Sequence, residues 1–154
     1  MWLHDSVGTD VAFIEACAEW AGHVASGEAV PVLLEALALV EGSPFDGPDY
    51  EWAINAHPHR EAEAVVADAA HLLAELVLQA GDTSIARFAV TKGLTVTGNV
   101  ALYHDRIKVE LQSGNPEAAA CAYRELLTML DELGVEPNEE TTALARRVLP
   151  RVQP

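Results

Sequence analysis

An all-α array of antiparallel helical hairpins, about seven or eight helices long, is the fold this sequence predicts. Three observations carry that expectation. Apolar residues recur at helical spacing along most of the chain, strand signals are almost absent, and a helix–turn–helix unit repeats in the middle at an offset of 33 residues.

Composition narrows the function before any motif is read. The chain has 154 residues, half of them hydrophobic but only 6% aromatic, so its apolar mass is mostly Ala, Leu and Val. That suits one domain with a real core and rules out a disordered chain. No apolar run reaches the ~18–20 residues of a membrane span, and the first residues lack a signal-peptide pattern. Two cysteines, Cys17 and Cys121, make no disulfide scaffold and no metal-ligand spacing; both lie in Ala-rich helical segments that suit small buried residues. The net charge is −15, and the first 59 residues hold ten acids without a single Lys or Arg. Duplex DNA is bound by cations that displace condensed counterions, so direct nucleic-acid binding by this segment is not expected.

In chain order, the periodicity and breakers predict helices near Asp10–Ser26, Glu28–Glu41, Asp49–Ala56, Arg60–Ala80, Thr83–Leu94, Asn99–Ser113, Pro116–Leu133 and Asn138–Val148. The clearest stripe is Val65, Val66, Ala69, Ala70, Leu73, Leu76, Val77 and Ala80, stopped by Gly81. Only Leu94–Val96 and the first few residues read as extended. Two Gly and two Pro between Gly42 and Pro48 enforce a loop, with Phe45, Tyr50 and Trp52 expected to fold it onto the core or to offer a docking patch. Pro58 predicts a non-helical His57 and a break before the long helix.

The repeat pairs Leu78-Gln79-Ala80-Gly81-Asp82 with Leu111-Gln112-Ser113-Gly114-Asn115. At the same offset His71 meets His104, Ala86 meets Ala119, Ala89 meets Ala122 and Leu94 meets Leu127. Each unit reads as a helix, a turn needing a left-handed Gly, and a second helix whose small residues let it approach the first. A period near 34 with this layout is tetratricopeptide-like. Ser26-Gly27-Glu28 is a third expected turn, matching loosely.

Leu133-Gly134-Val135-Glu136-Pro137-Asn138-Glu139-Glu140-Thr141-Thr142-Ala143-Leu144 resembles the closing segment of the bacterial transcriptional activator domain. Ala122-Tyr123-Arg124 with Leu126 is similar to the helix before it. Ala36-Leu37, Leu39-Val40, Gly42, Pro44-Phe45 and Tyr50-x-Trp52-Ala53 resemble its first half. The resemblance implies a tetratricopeptide-like domain over residues 10–150, a tail at 151–154, and a linker or remnant of a winged-helix DNA-binding domain at 1–9. Such domains usually follow a winged helix in actinobacterial regulators. Ala86-Arg87-Phe88-Ala89-Val90-Thr91-Lys92-Gly93-Leu94 looks closest to a subgroup found in proteins that carry lysin motifs.

Chemical constellations are sparse. His57-Pro58-His59 with Glu61, Glu63 and His71 is metal-like in composition, but zinc needs three or four convergent ligands and no spacing supplies them. His71 with Glu75 reads as an i, i+4 pair on a helix. His104-Asp105 superficially resembles a metal-dependent phosphohydrolase without its further ligands. Thr91-Lys92-Gly93 has the residues of a phosphate loop in the wrong order. Catalysis, cofactors and metals are therefore not expected. Tyr103, Arg106 and Tyr123 form the candidate interaction surface, since helical arrays use aromatic and Arg anchors along a groove; the competing reading places both tyrosines in the core. With the resemblance, the expectation is a cytoplasmic, non-catalytic module of a transcriptional regulator, partnered by an attached winged-helix domain, by itself or by another regulator. The alternative is a scaffold in an envelope-associated protein.

Overall fold

The computed structural model describes residues 10–42 and 57–149. Every regular element among them is helical: α1 (Asp10–Ala21), α2 (Ser26–Ala38), α3 (His57–Gln79), α4 (Thr83–Val96), α5 (Val100–Gln112), α6 (Pro116–Glu132) and α7 (Glu139–Val148). The predicted helix at Asp49–Ala56, the loop aromatics Phe45, Tyr50 and Trp52, and the extended first residues lie outside the described residues.

Several helix boundaries differ from the sequence reading. The first helix ends at Ala21, where Gly22 and His23 donate to the carbonyls of Ala18 and Trp20. Ala25 is then extended and α2 begins at Ser26, so Gly27 lies inside a helix rather than at a turn. Pro58 falls in the first turn of α3, which His57 opens. A first-turn residue has no intrahelical use for its N–H, so a proline at this place does not break the helix. Leu94–Val96 is the last turn of α4 rather than extended; burial of Val96 outweighs its β preference, and the chain extends only at Thr97.

The two repeated turns are built alike. Gly81 (φ +81°) and Gly114 (φ +73°) are both left-handed. Gly81 donates to the Leu78 carbonyl and Asp82 to that of Val77; Gly114 and Asn115 do the same to Leu111 and Glu110. Each turn thus satisfies two orphan carbonyls of the helix it ends. The following side chain caps the next helix, Asp82 accepting from Ser84 and Ile85 and Asn115 from Ala118. The third turn of this kind is at Gly134 (φ +65°), again donating three residues back, to Asp131. Gly114→Val should therefore cost about 1–2 kcal/mol from the forced backbone, although nothing stands within 4 Å of its Cβ. A melting temperature equal to wild type would contradict that.

These short turns set α1 against α2, α3 against α4 and α5 against α6, and α7 closes the row against α5 and α6. Successive hairpins also touch, α3 meeting both α1 and α5. Small residues permit the approach: Ala69, Ala70, Ala86, Ala89, Ala119 and Ala122 are fully buried. One core joins α1–α4 and takes Leu102 and Val109 from α5; a second joins α6 and α7 around Ile107 of the same helix. α5 is thus packed on both sides. No described helix is long and apolar enough to cross a membrane.

Candidate functional site

The structure separates the three expected anchors. Tyr123 is only 8% exposed and packs in the second core, and Tyr103 lies half-buried against that core. Arg106 instead reaches the surface between α4 and α5. It lines an open groove of about 390 Å³ with Arg87, Val90, Leu94, Thr95 and Glu110. Both arginines there are engaged. Arg87 makes a two-pronged bond to Glu110 (Nε–Oε1 3.1 Å, Nη2–Oε2 3.0 Å), and Arg106 Nη1 lies 2.5 Å from Glu125 Oε2. The groove therefore presents apolar side chains between two compensated ion pairs, a surface fit for protein contact rather than for capturing a free anion.

On α3, α5 and α7 lies a chain of polar groups that no sequence motif announced. Asp105 is fully buried, and its Oδ2 sits 2.5 Å from His71 Nδ1 on the neighbouring hairpin. Its Oδ1 has no hydrogen-bond partner; the nearest cation is Lys108 Nζ at 3.7 Å. Lys108 also donates to Glu140 Oε1 at 3.1 Å, and Glu140 Oε2 lies 3.3 Å from His104 Nδ1. His104 Nε2 is 2.8 Å from the Thr141 hydroxyl, which bonds the Asn138 side chain that caps α7. These contacts thus tie the second and third hairpins to each other and to the closing helix α7.

Its titrating groups are pushed in opposite directions. The bond to Asp105 raises the pKa of His71 above the ordinary histidine value, against a smaller loss from burial. Burial lowers that of His104, although Glu140 opposes the effect. The Lys108 ammonium lowers that of Glu140. All three contacts at the His104–Thr141–Asn138 end are made at once only by a doubly protonated ring, which its burial disfavours.

His71–Glu75 is present as the expected i, i+4 pair, but at 3.9 Å it is the weaker of the ring's two partners. The signal for the stronger one was the repeat itself. An offset of 33 places His71 opposite His104, and Asp105 is its neighbour. Adjacent residues on a helix point about 100° apart, so Asp105 turns to α3 while His104 turns to α7, and the two do not converge on one ligand. Among the described residues no group of three or more His, Cys, Asp or Glu is placed to hold a metal; the side chains of His57 and His59 lie outside them. Cys17 is buried, and burial raises its thiol pKa. Cys121, expected inside, is exposed on α6, where its Sγ approaches Glu125 at 3.5 Å.

Comparison with the curated proteins and with the solved structures gave no match. Among protein families, the model of the bacterial transcriptional activator domain matches residues 9–149, which spans every helix described above. That family is one of regulatory domains rather than enzymes, and its members are tetratricopeptide-like. The matched segment, the all-helical stack and the repeated Gly turns agree, and the chain belongs to the bacterial transcriptional activator domain family.

Proposed function

We propose that this chain is a non-catalytic interaction module of a transcriptional regulator, which relays a signal to an attached winged-helix DNA-binding domain or mediates oligomerisation. Residues 1–9 would then link it to that domain. The family match over the whole helical stack carries the reading. The charge distribution supports a role for the first hairpin. Asp10, Glu15, Glu19, Glu28, Glu35 and Glu41 are all exposed, and none takes part in an ion pair among the described residues. A winged domain must be basic to hold DNA, and attachment keeps it at high effective concentration near this hairpin. Contact in one state and release in another would shift DNA binding, because only differential contact moves such an equilibrium.

The test is DNA affinity of the full-length regulator against a variant with Glu15, Glu19, Glu28 and Glu35 changed to Gln. Tighter binding by the variant at low salt, fading as the Debye length shortens to ~8–10 Å, is the expected result. Equal affinities across the salt series would overturn the relay through this hairpin.

A further inference from the structure

The two ends of the helical row are finished differently. A stacked array needs polar outer faces on its terminal helices to stay in water. α7 has one along the helix itself: Thr141, Leu144 and Val148 face inward, while Glu139, Glu140, Thr142, Arg146 and Arg147 are exposed; the exposed Leu133, Val135 and Leu149 flank the helix and form no stripe along it. α1 does not. Ile14, Cys17 and Ala21 face the core, and Phe13, Ala16 and Trp20 remain outside at i, i+3, i+7 spacing, with Phe13 45% and Trp20 44% exposed. Two half-exposed aromatics in register on one end helix are, among the described residues, an unfinished surface.

Charge decides what can cover it. Glu15 and Glu19 lie beside the stripe on the same helix and Asp10 opens it, all exposed. A second copy meeting this face through its own α1 would set six carboxylates together, and an anionic lipid surface would be repelled in the same way. A cationic helix with one apolar face satisfies both features: its apolar residues cover Phe13 and Trp20, and its Lys or Arg side chains meet the flanking acids. We propose that the outer face of α1 is a docking site for a basic amphipathic helix. This deepens the interaction-module reading but requires no attached DNA-binding domain.

The test uses the 154-residue chain and a fluorescein-labelled synthetic helix of about 18 residues made of Leu and Lys, Leu forming one face. Its anisotropy should rise on titration with wild-type protein, and a Leu/Glu peptide of the same pattern should not bind. Phe13→Ala with Trp20→Ala should weaken binding on the order of tenfold, the loss expected of two anchor aromatics. Glu15→Gln with Glu19→Gln, which leaves packing untouched, should weaken it several-fold at low salt. Glu136→Gln with Glu139→Gln removes the same charge at the far end and should leave affinity unchanged. Absence of binding, or equal weakening by the two glutamine pairs, would overturn the proposal. So would light scattering that shows the chain self-associating through Phe13 and Trp20 without taking the peptide. None of these outcomes depends on the DNA experiment above, so the two readings fail separately.

Discussion

His71→Leu should be among the most destabilising single changes in this protein, although His71 is itself 36% exposed. The cause lies in its partner. Asp105 is fully buried, and without His71 its carboxylate keeps only Lys108, at 3.7 Å and outside hydrogen-bond reach. Breaking a buried charge pair from one side costs about 3–5 kcal/mol; access of water past the half-open position of His71 reduces this to roughly 2–3 kcal/mol. For a domain of this size that is a fall in melting temperature of roughly 5–10 °C. Changing both residues, His71→Leu with Asp105→Leu, removes the stranded charge and should recover most of the loss. A single variant as stable as wild type, or a double variant worse than the single, would show that Asp105 is held by something other than this pair.

The same link has a pH signature with a definite sign. The folded pKa of His71 is raised, so its stabilisation is fully present below the unfolded histidine value of about 6.5 and is lost as pH rises through the folded value. That of His104 is lowered, so its effect is opposite: stability present above about 6.5 is lost as pH falls through its folded value. In wild type the two partly offset each other. In the double variant His71→Leu with Asp105→Leu, which leaves no stranded carboxylate to take up a proton, the His104 slope is no longer offset, so above the carboxylate range urea midpoints should fall more steeply on acidification than in wild type. Parallel pH profiles for the two proteins would contradict this.

Elements fixed by local chemistry were the most legible in the sequence. Gly81-Asp82 and Gly114-Asn115 each combine a residue that tolerates positive φ with one that caps the next helix, and both turns form as read. Gly27 misled because glycine has two uses, and Ala25 rather than Gly27 supplies the extended residue ahead of α2. The site was less legible. Tyr123 suits either a groove or a core, and only the packing of α6 against α7 places it inside. The His71–Asp105 bond spans 34 residues, so no local pattern contains it. It follows from the repeat only once successive hairpins are known to stack in register, and the charge of Asp105 gives no hint that it is wholly buried.

Gly93→Val should cost about 3 kcal/mol, and the reason is contact rather than backbone freedom. In the sequence this glycine stands out as the last residue of a misordered phosphate-loop triplet and as part of the Ala86–Leu94 stretch, neither of which shows its packing. In the structure it is buried in α4, where glycine is normally a loss of about 1 kcal/mol against Ala. A Cβ added there would lie 2.9 Å from Ala70 Cβ and 2.6 Å from Leu102 Cδ1, and both neighbours are fully buried. Ala70 has no rotamer to change, and Leu102 has no space to move into, so α3 and α5 must separate from α4. Overpacking of this kind costs about 1–3 kcal/mol, and the β-branch of Val adds crowding against the preceding turn. Even Gly93→Ala should lose stability, because its propensity gain of about 1 kcal/mol does not offset two such contacts. Leu102→Ala opens the space that the new side chain needs. The double variant Gly93→Val with Leu102→Ala should therefore lose less than the sum of the two single losses, a coupling of about 1 kcal/mol or more in the cycle. Strictly additive losses, or a Gly93→Ala protein more stable than wild type, would mean that α4 does not meet α3 and α5 at this point.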